Sequence, residues 1–329
     1  MQPGNFGDVK KYQEFEETKL IDYPFAKLKQ SKSQLYWAFV GFNDFYKKIR
    51  TPHIELSQNI FKEYPQRQIS YFRLKGIEFG NWTNQEDRFN YFVSVLLSFM
   101  DLNLILNFNN NLGLFETLTI AIGSRGSGKA KAHFDRTNWI INLTRYKRAD
   151  KLIKEFKDSG IKIPTDLTKE KLFLCTGGIT ALAHEYGHFI DYWAGSYLEN
   201  KPLLTQRKKS IDIAFIQHPK NLAELANNII HKIIFDKSGN LSNYYFKLKK
   251  AQLSNYWYRH NELFARAFEV YINLKLQQKN ISNIFLTKPK YEDYVYLTEK
   301  EFKEKGLLKL FDELIENIGI IARKKEFKK

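Results

Sequence analysis

The sequence predicts an α+β fold, mostly helical with a small central sheet. Three observations carry that class. Apolar residues recur at helical spacing over six segments, two short β-rich runs flank a glycine-rich loop near the middle, and helices and strands are segregated rather than alternating.

Taken in order, Ser33–Ile49 is the clearest helix candidate of the first 75 residues. Gly76-Ile-Glu-Phe-Gly-Asn-Trp82 reads as a turn-like stretch before a helix over Asn84–Asp101. That helix opens on polar cap chemistry and then places Phe89, Phe92, Val93, Leu96, Leu97 and Met100 on one face. Leu118–Ile122 and Trp139–Leu143 read as strands, with Ala132–Trp139 between them as turn and strand. Residues 146–176 form a charged insertion of helix and loop. A long helix is expected from Gly177, with Ile179, Leu182, Ala183, Tyr186, Ile190 and Trp193 on its apolar face. Further helices are expected at Asn221–Phe235, Asn261–Leu276 and Thr298–Asn317. The segments group as 1–75, mixed and partly helical; 76–277, a central domain; and 278–329, a helical extension with a basic tail.

Composition bounds the function classes. With 329 residues the chain can bury an ample core, and its one cysteine, Cys175, excludes a disulfide framework and multi-cysteine metal cages. Lys+Arg 52 against Asp+Glu 36 gives a net charge of +16. That charge favours nucleic acid, anionic membrane surfaces or acidic proteins as partners, yet the cations are scattered, densest at Arg145–Lys154, Arg207–Lys209 and Arg323–Lys329. Weak, sequence-blind nucleic-acid binding is the expectation. No signal-peptide core follows the polar N-terminus, and runs such as Tyr91–Met100 are too short to span a bilayer, so no membrane span and a cytoplasmic location are expected.

The strongest motif is His184-Glu185-Tyr186-Gly187-His188. Two histidines four apart on a helix project side by side and can hold one metal ion. Glu185 sits a step round, where its carboxylate can take a proton from water at the metal. With 7 His and 22 Glu in 329 residues, chance produces the pattern with a probability of about one per cent. The bland alternative is a pair of half-buried histidines; it is disfavoured because the apolar stripe lies elsewhere, leaving His184, His188 and Asp191 as a separate polar face.

A catalytic zinc needs a third protein ligand. Asn261–Glu269 supplies candidates: Leu263, Ala267 and Val270 are spaced for packing, leaving Glu262 and Glu269 two turns apart on a common face. On spacing alone Glu224, Asp212, His218 and His231 compete with Glu262. Tyr256 and Tyr258, just before this helix, are ordinarily packing residues, but a tyrosine there could donate to an oxyanion. His133, between the central strands, could face the site. Upstream, Gly123–Lys129 fits the phosphate loop GxxxxGK, but Ala130 replaces the magnesium-binding hydroxyl and no helix follows, so a hairpin or a close backbone approach is the better reading.

These stretches together resemble the first of the large polyvalent-protein-associated domains of phages and conjugative elements, a family regarded as zincin-like metallopeptidases. The resemblance rests on Gly76–Trp82, Ala121–Ala130, Ala132–Phe134, Ile141–Thr144, Leu182–His188 with Asp191, and Glu262–Glu269, in one order over about residues 70–275. It implies a zincin-like fold for 76–277, zinc held by His184, His188 and Glu262, and Glu185 as general base. The Glu262-Leu-Phe-Ala-Arg-Ala-Phe stretch is similar to that of the catalytic domain of anthrax lethal factor, which implies that Tyr256 or Tyr258 assists. Either Asp191 or Glu269 would orient a ligating histidine. The resemblance implies a zinc metalloendopeptidase of a phage or mobile element, acting on host or element proteins in a bacterial host cell, with strand Trp139–Leu143 lining up an extended peptide. The rival is a catalytically silent zincin scaffold that binds DNA or protein. Residues 1–70 and 280–329 carry no resemblance.

Overall fold

Four short strands build the sheet, in the order β2–β3–β5–β4: β2 Gly76–Phe79, β3 Thr119–Ile122, β4 Ala132–Asp135 and β5 Ile140–Leu143. The structure is a computed structural model that describes residues 47–56, 66–80, 85–123, 132–144, 178–206, 214–291 and 295–326. Most of the expected helix at 33–49, the glycine-rich loop after Gly123, the insertion 146–176 with Cys175, and Asp212 lie outside these residues. The helical segments and this small sheet make the α+β class expected from sequence.

The chain forms two compact units. The first combines residues up to Asn103 with Asn110–Leu182 and Ile281–Leu286. In it β2 runs parallel to β3, with Ile77 beside Ile120, and β3 parallel to β5, with Ile120 beside Ile141. All three strands are buried along their whole length, so they show no polar alternation. That is why Gly76–Phe79 looked like a turn: a four-residue buried strand bracketed by glycines has no period to read.

Two more corrections concern the sheet. β3 and β5 run parallel, so no hairpin joins them; the hairpin joins β4 to β5, its turn held by Asp135 accepting from the Thr137 N–H at 2.9 Å. A strand follows the glycine-rich loop, as expected, rather than a phosphate-binding helix. Because β5 lies between β3 and β4, its backbone is not available to line up an extended peptide. His133 sits on β4, opposite Asn142, and not in a loop.

Helix α1 (Gln66–Tyr71) precedes β2, and α2 (Gln85–Leu106) follows it. Phe89, Phe92, Val93, Leu96 and Leu97 of α2 are buried, as their spacing predicts. Residues Arg88–Leu106 are long and apolar enough to cross a membrane, longer than the run read from sequence, but most of the segment is buried within the protein, as in a core helix. Strand β1 (Arg50–Thr51) pairs with β6 (Ser282–Asn283). An ion pair anchors that pairing: Arg50 Nε donates to Asp101 Oδ1 at 2.8 Å, and Asn283 Nδ2 donates to Asp101 Oδ2 at 2.9 Å. Burial raises the Asp101 carboxyl, opposed by its bonds from Asn283 and Arg50.

The second unit comprises Leu104–Asn109, Ala183–Asn280 and Thr287–Lys329. It contains α3 (Leu182–Leu198) from its second residue on, α4 (Leu222–Ile234), α5 (Asn243–Lys250), a 3₁₀ turn (Asn255–Tyr258), α6 (His260–Gln277), α7 (Glu299–Glu304) and α8 (Leu307–Ala322). Helix α6 is buried almost all round and packs against α4, α7, α8 and the 3₁₀ turn. Phe264, Tyr271 and Phe302 gather round Phe311 of α8, with centroids 5.2–5.9 Å away. The single helix expected over 298–317 is two, broken at Gly306, whose φ of 66° is a left-handed conformation that ends a helix. Asn221 caps α4 as its side chain accepts from the Glu224 N–H.

Asp101→Ala should leave the Arg50 guanidinium buried without its counter-charge. A loss of about 3–5 kcal/mol is expected from urea unfolding. A loss under about 1 kcal/mol would mean that the pair does not anchor β1 and β6.

Candidate metal centre

Gly187 lies where α3 crosses α6. A Cβ at this position would stand 3.2 Å from the Ala265 Cα and 3.1 Å from the Phe268 ring, so α3 and α6 approach more closely there than a side chain comfortably allows. Tyr186 and Phe268 pack beside the crossing, their centroids 6.4 Å apart. The apolar face predicted for α3 is buried: Leu182, Ala183, Tyr186 and Ile190 are fully covered.

That approach brings His184 and His188, one turn apart on α3, against Glu262 in the first turn of α6. His184 Nε2 lies 3.5 Å from Glu262 Oε2, and His188 Nε2 lies 3.3 Å from Glu262 Oε1. Ligand atoms of the three residues all fall within 4.8 Å of one another. A tetrahedral ion with bonds of about 2.0–2.1 Å separates its ligand atoms by about 3.3 Å. Two imidazole nitrogens and a carboxylate at these distances therefore fit a divalent metal. His188 and Glu262 are buried, whereas the His184 side chain keeps 16% exposure.

The electrostatics agree with a shared cation site. Burial pushes the His184 imidazole down to about 4, which keeps its nitrogen free of a proton. Burial also acts to lower His188, but Glu262 leads the carboxylates that outweigh it, and the net shift is upward. Glu262 is held well below the usual carboxylate range: burial opposes this, and the two histidines prevail.

Glu269, two turns beyond Glu262, is fully buried and turned to the far side of His184, its Oε2 3.8 Å from Nδ1. The hydroxyls of Tyr291 and Tyr296 donate to its two oxygens at 3.0 and 2.9 Å. Burial lifts this carboxyl to about 7, against the pull of those two hydroxyls. Asp191 is also fully buried, and its carboxylate accepts from the Thr205 N–H at 2.9 Å and hydroxyl at 2.7 Å. Of the two acids considered from sequence, Glu269 faces a histidine nitrogen, while Asp191 ties down the loop after α3. Nothing in the sequence pointed to Tyr291 and Tyr296, which lie beyond the expected resemblance.

The two tyrosines before α6 separate. Tyr256, 44% exposed, lies where the charges of Glu262 and Glu185 act on it. Burial first, then Glu262 and Glu185, push its phenol well above the ordinary tyrosine value, so it remains a proton donor. Tyr258 is not brought to the cluster: its hydroxyl donates to the Leu248 carbonyl at 3.1 Å. Glu185 is nearly buried, and its charge acts on both His188 and Tyr256.

The rival ligands lie elsewhere. Glu224 accepts from the Lys220 N–H at the start of its own helix, His218 is exposed, and His231 packs against Phe215 and Phe235.

Residues 248–320 match the family of large polyvalent protein-associated domain 1. No curated protein and no solved structure matches the chain. The family match takes in Tyr256, Glu262, Glu269, Tyr291 and Tyr296 but not residues 184–188. It overlaps the span of resemblance read from sequence only up to residue 275, and it continues through α7 and most of α8, where the sequence showed no resemblance.

Three outcomes follow from this geometry. Gly187→Val should lower zinc affinity more than about tenfold in a chelator competition, with every ligand intact, because the two helices must separate. Glu269→Gln should lower zinc affinity about 10- to 100-fold. Asp191→Asn should instead lower the melting temperature and leave zinc affinity within about twofold of wild type. Equal effects of the two acids on affinity would show that Glu269 has no special relation to His184.

Proposed function

We propose that the chain is a zinc-dependent peptidase whose metal ligands are His184, His188 and Glu262. The observation that supports it most is the convergence of two Nε2 atoms from one helix on the carboxylate of another, with Glu185 next to the first ligand. A zinc ion held there supplies a Lewis acid for a scissile carbonyl and makes water acidic enough to lose a proton near neutral pH.

The chain's own groups divide the remaining work. Glu185 takes the proton of the attacking water and passes it to the departing amine, so that hydroxyl adds to the carbonyl carbon as the C–N bond breaks. Tyr256, kept protonated, donates to the carbonyl oxygen as negative charge develops on it. Glu269, held by Tyr291 and Tyr296, orients His184. Zinc suits a set of two imidazoles and one carboxylate better than magnesium or calcium, which favour oxygen donors.

The resemblance to domains of phages and conjugative elements supports a substrate among host or element proteins in the bacterial cytoplasm. The net charge of +16 would speed encounters with acidic proteins and gives weak, non-specific attraction to nucleic acid. A scaffold that only bound DNA or protein would have no use for Glu185 beside the metal ligands, which favours catalysis.

Glu185→Gln should keep one equivalent of zinc and the wild-type fold while casein hydrolysis falls by at least about a thousandfold. Glu262→Ala should lose zinc at chelator concentrations that the wild type withstands. If Glu185→Gln lost zinc and activity together, Glu185 would be a ligand rather than the base. If Glu262→Ala held zinc as tightly as wild type, the third ligand would lie elsewhere.

A further inference from the structure

The 3₁₀ turn Asn255–Tyr258 presents Tyr256 to the cluster, yet it has no buried residue and no side-chain cap at either end. A short exposed turn of this kind should open readily unless something holds it. One tie is the Tyr258 hydroxyl on the Leu248 carbonyl. The Arg259 guanidinium lies 5.8 Å from the Tyr256 ring centroid, and Tyr245 sits edge-on to Tyr258. Another tie comes from beneath. Arg266 of α6 is buried, with 3% exposure, and its Nη2 donates to the Trp257 carbonyl at 2.6 Å. Its guanidinium also lies 5.3 Å from the centroid of the Trp257 ring.

This is an unusual use of a buried arginine. Glu262 and Glu269 stand four residues before it and three after it on the same helix, but their oxygens are taken up by histidines and tyrosines. Arg266 Nε and Nη1 are buried without a hydrogen-bond partner. The guanidinium thus holds the Trp257 carbonyl and ring, both of the residue that follows Tyr256, and its charge also reaches Tyr244.

We infer that Arg266 is a positioning residue that locks the Tyr256 turn onto the helix carrying Glu262. The same helix then sets both the third ligand and the tyrosine, and the two stay in register. The inference rests on the peptidase reading for its consequence in catalysis, but the lock itself does not depend on that reading.

Hydrogen exchange of the full chain, read by mass spectrometry over a peptide covering residues 253–259, tests the lock without any substrate. The Trp257 and Arg259 amides, bonded to the Ser254 and Tyr256 carbonyls, are the reporters. Arg266→Gln should accelerate their exchange about tenfold or more while the last turns of α6 exchange as in wild type. Arg266→Lys, which keeps a donor for the Trp257 carbonyl, should recover part of the protection. Unchanged exchange at 253–259, or acceleration spread evenly along α6, would overturn the inference. On casein, Arg266→Gln should lower kcat on the order of 10- to 100-fold with KM kept and zinc at one equivalent. Combined with Tyr256→Phe it should add little, and full additivity would show that Arg266 does not act through Tyr256. If the wild type hydrolyses nothing, the peptidase reading fails and the exchange result alone decides the lock.

Discussion

The close approach of α3 and α6 at Gly187 is the constraint on which the site depends. Metal ligation needs three donor atoms within a few ångströms, and here they come from helices far apart in sequence. His184 and His188 are fixed relative to each other by helical geometry alone. Glu262 can join them only if its helix lies almost against theirs, and the missing Cβ at Gly187 leaves that room over Ala265 and Phe268. The glycine within the motif is thus a packing residue for the partner helix.

Such proximity places several ionisable groups in a poorly solvated space, and the rest of the unit answers that problem. Glu262 meets two imidazoles, and Glu269 receives two tyrosine hydroxyls from the segment after α6. Asp191 accepts from Thr205, which draws the loop after α3 back over the helix. Gly195 permits that return, since a Cβ there would stand 2.4 Å from the Leu203 backbone. Asp191 and Glu269 thus have their donors, as burial requires. The turn that carries Tyr256 is bonded to α6 by Arg266.

What could be read from sequence follows the range over which each signal acts. The motif at 184–188 is contiguous and helical, so its residues and their face were legible directly. Glu262 shares a face with Glu269, which spacing shows, but choosing it over Glu224 or His231 took the resemblance. The structure gives the physical reason: Glu224 is engaged at its own helix start and His231 lies among phenylalanines. Tyr256 and Tyr258 could not be told apart, because two residues along a 3₁₀ turn the direction differs in a way no apolar period records. Tyr291, Tyr296 and Arg266 act through tertiary contacts and left no local mark. In the sheet, β2 was hidden by its flanking glycines, and the parallel pairing of β3 with β5 depends on a register that no local pattern encodes.

His184, His188 and Glu262 together could hold one metal ion. A crystal structure of the zinc-loaded protein, with anomalous data collected at the zinc edge, tests it most directly. One strong anomalous peak is expected about 2.0–2.1 Å from His184 Nε2, His188 Nε2 and a Glu262 oxygen, with Tyr258 still on the Leu248 carbonyl. A zinc peak bound by other residues, or none between these three side chains at saturating zinc, would contradict it.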